Sequence, residues 1–146
     1  MSVRRAICAA ALALAACAGS DDEPEVSPAC LEATMHDDFT WIEANILQRG
    51  CGAFRSCHQG TATEAGKLNL EVGRAYDELV SQPSSLHADR LLVSPGKPDE
   101  SYLLVALGAV PGPLPMKGRM PLNNPPLCEQ KIDALRRWIE AGAKRD

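Results

Sequence analysis

The sequence predicts a small all-α domain, and three observations carry that expectation. Apolar side chains recur at helical spacing in a few short stretches, no stretch alternates as a half-buried strand would, and prolines and glycines divide the rest into long loops. We expect three to four helices in a single domain over residues 34–146, preceded by a signal peptide over 1–16 and a flexible acidic tether over 17–33.

The chain opens with Arg4 and Arg5, and an apolar, Ala-rich run follows over 6–16. That is the charged-then-apolar order of an export signal, and the run is shorter than the roughly 20 residues that span a bilayer. Its end, Leu14-Ala15-Ala16-Cys17, resembles the lipobox of bacterial lipoproteins. The resemblance implies cleavage before Cys17 and acylation of its thiol and new amine, with membrane affinity growing by about 0.8 kcal/mol per buried CH₂. The competing reading is an ordinary secretory signal that happens to end at a cysteine. By analogy with sorting in enteric bacteria, Ala18 after the cysteine implies the outer membrane, with the domain facing the periplasm or the cell surface.

Without residues 1–16 the chain carries thirteen Lys and Arg against nineteen Asp and Glu, a net charge of −6, which argues against nucleic acid as a partner. Residues 18–28 are polar, acidic and Pro-containing, the composition of a tether.

Within the domain, Phe39, Ile42 and Ile46 lie at helical spacing behind Asp37 and Asp38, with Gly50 beyond, so 37–47 is the first helix. A polar, Gly-containing stretch runs to Lys67. Residues 72–81 predict a weaker helix, with Ala75, Leu79 and Val80 inward and Gly73 against it. Ser94-Pro95-Gly96-Lys97-Pro98 is a turn, after which Pro98 or Asp99 opens a short helix ending near Gly108. Four prolines between 111 and 121 exclude regular helix and central strand there. In 129–141, Ile132, Leu135 and Ile139 share a face with Trp138 beside them, and Gly142 stops the helix. The aromatic supply is two Phe, two Trp and two Tyr, so the core is expected to need help from a cofactor or a disulfide.

Of six cysteines, Cys8 leaves with the signal and Cys17 is assigned to lipid. Cys30, Cys51, Cys57 and Cys128 remain, and an oxidising compartment favours their being bridged or otherwise consumed. Cys51-Gly52-Ala53-Phe54-Arg55-Ser56-Cys57-His58 ends in the Cys-His pair that marks c-type haem attachment, where two thiols add to the vinyl groups and the next imidazole ligates iron. The spacing is five residues instead of the usual two. A local Cys51 to Cys57 disulfide accounts for the string equally well, and zinc is disfavoured because structural zinc cysteines typically sit two to four residues apart.

The order of the first helix, the Cys-His segment, Leu68-Asn69-Leu70, the turn Val93-Ser94-Pro95-Gly96-Lys97-Pro98-Asp99-Glu100-Ser101-Tyr102-Leu103, Met120-Pro121 and the final Trp138-Ile139-Glu140-Ala141-Gly142-Ala143 resembles the cytochrome c-like domains of planctomycete and myxobacterial exported proteins, over roughly 37–143. The resemblance implies haem c as cofactor, Cys51 and Cys57 as thioether donors, His58 as proximal ligand to the iron and Met120 as distal ligand. Met116 and His87 are alternative distal ligands, while His36 reads as a surface histidine. Pro121 restricts Met120 to extended backbone, which aims a weak thioether ligand; the competing reading is a gap-filling core methionine. Because the first and last helices pack together in cytochromes c, the resemblance also implies a Cys30 to Cys128 disulfide.

Two functions follow. One is a haem-binding, membrane-anchored lipoprotein that passes single electrons to or from a redox protein partner, without enzymatic turnover. The other is a non-haem lipoprotein on the same scaffold, stapled by Cys51 to Cys57 and Cys30 to Cys128, with a structural or interaction role.

Overall fold

A computed structural model describes residues 25–52, 57–60 and 67–146. The signal peptide and the lipid-bearing role expected of Cys17 fall on residues outside the described ones. The domain is all-α, built of short helices: α1 (Pro28–Glu32), α2 (Phe39–Ile42), α3 (Ala75–Leu79), α4 (Tyr102–Ala106) and α5 (Glu129–Glu140). A 3₁₀ turn, Ala33–Met35, extends α1, and another, Pro98–Glu100, precedes α4. No described helix is long and apolar enough to cross a membrane.

The longest element, α5, is the hub. It buries Ala134, Leu135, Trp138 and Ile139, and α1, both 3₁₀ turns and α2 pack against it. Phe39 of α2 meets the Trp138 ring at 5.3 Å and the Tyr76 ring edge-on at 5.1 Å, so three of the six aromatic residues form one cluster. The Trp138 Nε1–H donates to the Lys144 carbonyl at 2.8 Å and the Tyr76 hydroxyl to the Ala143 carbonyl at 2.8 Å. Both polar tips therefore tie the chain beyond α5 to the core.

Each predicted helix is present; the last matches its expected span almost to the residue, and the first three depart from theirs for local reasons. The first opens at Asp38, whose carboxylate accepts the Trp41 N–H at 2.8 Å as an N-cap. After Ile42 it widens into a π-helix, Glu43–Cys51. Competing donors occupy the carbonyls there: Asn45 Nδ2 bonds the Trp41 carbonyl at 3.2 Å, and Lys131 Nζ bonds that of Asn45 at 3.0 Å. The second helix shrinks to α3 because Gly73 (φ 76°) and Ser81 (φ 59°) are left-handed on either side. The third is interrupted at Ser101, a fully buried serine whose hydroxyl accepts the Ser94 N–H at 2.9 Å and donates to the Lys97 carbonyl at 2.9 Å. Those bonds pin the predicted turn, and Gly96, left-handed at φ 75°, anchors it by donating its N–H to the Ile139 carbonyl of α5 at 2.7 Å.

Two features were not expected. The first described helix opens at Pro28, inside the 17–33 stretch assigned to the tether, because Cys30 is joined to Cys128 and α1 is thereby held to the start of α5. Isolated β-bridges, Val80 with Val93 and Pro83 with Leu91, draw residues 80–93 into a closed loop, though no strand forms among the described residues.

The disulfide closes a sequence separation of 98 residues, which on the chain-entropy model contributes roughly 4 to 5 kcal/mol. Replacing Cys30 and Cys128 together by serine is expected to lower the urea midpoint by a corresponding amount under non-reducing conditions. An unchanged midpoint would show that α1 adds nothing to stability.

Candidate functional site

The π-helix delivers Cys51. It closes with the Gly52 N–H on the Leu47 carbonyl, five residues back, at 2.7 Å. Gly52 passes directly beneath the Leu70 carbonyl: a Cβ there would stand 2.9 Å from that oxygen, so no other residue fits without a shift of backbone. The side-chain amide of Gln48 donates to the same carbonyl.

The second half of the motif is held by main chain. The His58 N–H donates to the Cys51 carbonyl at 3.2 Å, and the Leu70 N–H donates to the His58 carbonyl at 2.8 Å. The imidazole is half-buried, with Nδ1 3.4 Å from the Leu68 carbonyl. A carbonyl only accepts, so this contact places the proton on Nδ1 and leaves the Nε2 lone pair for a ligand, the arrangement by which metal-binding histidines are oriented. Leu68-Asn69-Leu70 thus acts through its backbone as the support of the Cys-His segment.

Both cysteines are thiols. Burial, with the nearby Cys57 adding to it, pushes the Cys51 thiol up to about 11, so it is protonated at neutral pH. Burial also holds the His58 imidazole below 6.5, the Leu68 carbonyl partly offsetting it.

The three candidate distal ligands separate by environment. Met116 is 95 % exposed, whereas Met120 is half-buried, packs against the core and donates its N–H to the Ala106 carbonyl of α4 at 2.8 Å. His87 sits in the closed loop with its ring against Tyr102, centroids 5.0 Å apart. His36 stacks on Trp41 and bonds Asp38, a structural role near the start of α2.

A cleft of about 230 Å³ joins the two halves of the motif pattern. Cys57 and Ile46 line it together with Pro121 and Leu127, and Arg49 and Lys131 are its charged members, with no carboxylate beside them. Of the four residues the sequence singles out for haem, Cys57 lines the cleft, whereas Cys51, His58 and Met120 do not; Met120 is represented there by its neighbour Pro121. The volume falls below the 300 Å³ or so at which small-molecule sites begin, so haem needs the cleft to widen. Among the described residues, no group of three or more His, Cys, Asp or Glu side chains converges to hold a metal ion. A haem iron bound by one histidine and one methionine would not require such a group.

Sequence reasoning missed Gly52, Gln48 and the lining residues Arg49 and Lys131. The neighbourhood of Cys51 hinted at the first two, but a cation arriving from α5 leaves no local signal. Comparison with family models, with curated proteins and with solved structures finds no match.

In haem-free protein, the unfolded chain takes up a proton at His58 that the folded chain refuses. The stability lost this way is fully present above pH 6.5 and declines as the pH falls below that value toward the lower folded pKa. Urea unfolding between pH 7.5 and 4.5 is expected to show a shallower acid slope in His58→Gln than in the parent. Equal slopes would mean that the imidazole titrates freely.

Proposed function

We propose that this chain is an exported, lipid-anchored haem protein that transfers single electrons. The observation that carries the reading is that Cys57, next to His58, and Pro121, next to Met120, line one cleft although 64 positions separate them. The order of motifs along the chain and the orientation of the His58 ring by a backbone carbonyl support it.

In this reading the Cys51 and Cys57 sulfurs would hold haem c, and His58 Nε2 and Met120 Sδ would ligate its iron. The bound group supplies an iron centre that gains and loses one electron at a time. The protein's part is positioning. The Leu68 carbonyl keeps the imidazole in one tautomer, Gly52 allows the supporting segment to approach, and the contact of Met120 with α4 through Ala106 fixes where the thioether stands. With His58 and Met120 both engaged in holding the group, it would serve electron exchange with a redox protein partner and not substrate turnover. Cys17 carries the lipid, and the acidic segment after it separates the domain from the outer membrane.

The narrow cleft favours a second reading, a non-haem lipoprotein on the same scaffold, in which Cys51 and Cys57, unbridged in this structure, would close on each other. One spectrum decides. Expressed with haem-attachment machinery, the protein is expected to show a Soret band and a positive pyridine haemochrome assay; Met120→Ala should lose the long-wavelength ferric sulfur-to-iron band while keeping its haem. Absence of a Soret band, with Cys51 and Cys57 found joined in unreduced peptides, would establish the second reading.

The anchor is tested separately. Cys17→Ser is expected to move the protein from the membrane fraction to the soluble periplasmic fraction or to leave it uncleaved, and a fully processed variant that stays with the membrane would refute lipidation.

A further inference from the structure

The proline-rich loop that follows α4 carries an exposed apolar tip that the haem reading does not use. Leu114 is 47 % exposed and Met116 95 %. The tip is braced from below. Pro115, between the two, is buried, and its carbonyl accepts the Gly118 N–H at 2.8 Å. At one end of the loop Gly112 lies so close to α4 that a Cβ there would stand 2.8 Å from Val105 Cγ1; at the other the Met120 N–H is bonded to the Ala106 carbonyl. Pro111, Pro113 and Pro115 fix φ along the approach to the tip. A segment held in this way has little conformational freedom left to lose when its side chains are covered.

The charge pattern sets this tip apart. No Asp or Glu stands between Glu100 and Glu129, in a chain that is acidic as a whole. Every other large apolar residue exposed among the described residues has an acid within three positions, as Leu31 has Glu32 and Met35 has Asp37. Two exposed bases, Lys117 and Arg119, follow the tip instead. The Arg119 stem lies along Gly108 at the end of α4, and its guanidinium makes no hydrogen bond or ion pair among the described residues. The reach of the chain supplies the remaining observation. Cys17 and Pro28 are eleven residues apart, which span at most about 40 Å, roughly one diameter of a domain of this length. A domain anchored at Cys17 therefore stays beside its bilayer.

We propose that this tip docks on an anionic phospholipid bilayer, with Leu114 and Met116 entering the headgroup layer and Lys117 and Arg119 meeting the phosphates. The proposal rests on the lipid anchor at Cys17 and not on the haem. An anchored domain meets its own bilayer at an effective concentration on the order of millimolar, so a contact too weak to recruit a free protein is occupied in a tethered one. The acid-free stretch and its two cations call for a negatively charged surface, and the bilayer is the one that the tether holds within reach. Docking through the tip gives the domain a fixed face toward the membrane.

The processed chain has three methionines, Met35, Met116 and Met120, so labelling with ¹³C-methyl methionine gives three signals, and Met116→Leu assigns the one at the tip. The exported protein is placed in nanodiscs of phosphatidylethanolamine and phosphatidylglycerol, with any bound haem reduced, and a lipid bearing a nitroxide on its acyl chain is added. The Met116 methyl is expected to broaden more strongly than that of Met35, which is also exposed. Leu114→Asp should cut this broadening several-fold, and exchange of phosphatidylglycerol for phosphatidylcholine should weaken it, while the Met35 and Met120 signals keep their positions as the sign of an intact fold. A Met116 signal that the nitroxide leaves sharp, on a chain whose N-terminal peptide carries acyl groups by mass spectrometry, overturns the docking proposal and leaves the anchor standing. An unacylated N-terminus overturns the anchor reading and this proposal with it. Equal broadening in Leu114→Asp, or a Met116 signal that responds to protein concentration and not to the nitroxide, as contact with a second copy would give, also overturns it.

Discussion

Burial of one face of α5 is the constraint on which the rest of the domain depends. Ala134, Leu135, Trp138 and Ile139 are each shielded to within a percent or so of completeness. At about 1.5 to 3 kcal/mol for a large apolar side chain, burial of Leu135, Trp138 and Ile139 together is comparable with the net stability of a typical domain. The other helical pieces run four or five residues apart from the π-helix, far below the length at which a helix is stable alone in water. α1, α2 and the turn before α4 persist because α5 offers them a surface.

A domain with so few aromatic side chains has little reserve if that packing loosens. Its compensation is to tie the chain ends down. The Cys30 to Cys128 bridge fastens the entry of the domain to the start of α5, and the last residues return to the beginning: the Phe39 N–H donates to the Asp146 carboxylate at 2.8 Å, and the Thr40 N–H to the Asp146 carbonyl at 3.1 Å. Arg145 pairs with Asp77 at 2.6 Å and lies over the Tyr76 ring at 4.4 Å, which draws α3 into the same closure. Both ends of α5 are thereby joined to the first third of the chain, and the Cys-His segment is suspended between elements that cannot separate independently.

How much of this was legible follows from the range of each interaction. Helical periodicity located α5 almost to the residue, since Ile132, Leu135, Trp138 and Ile139 announce one face and Gly142 its end. The turn at 94–98 was equally plain from Pro95, Gly96 and Pro98, because turn chemistry is local. The π-helix was not legible: it arises where Lys131, some eighty-six positions away, takes the Asn45 carbonyl, a competition no window of sequence contains. Nor was the helical turn at Pro28, where a short acidic stretch reads as tether until Cys30 is seen to be bonded. At the candidate site Cys57 and His58 stood out by residue type, but the carbonyls of Leu68 and Leu70 that hold them belong to the backbone, which every residue carries.

The hydrogen bond between the His58 N–H and the Cys51 carbonyl bears on the unusual spacing between the cysteines. It closes the base of the intervening segment at 3.2 Å, and Gly52 and Leu70 buttress that closure from the other side. With the base closed, the relation of Cys51 to His58 is set by main-chain contacts with 68–70 and not by the number of residues between them. Lengthening a closed loop costs little, each doubling adding only about 0.6 kcal/mol of closure entropy. A five-residue spacing therefore does not by itself separate the first cysteine from the histidine. The two sulfurs nevertheless stand in different surroundings, Cys57 on the cleft and half-buried Cys51 against the core, so a closed base that relates Cys51 to His58 leaves the pair unlike in access.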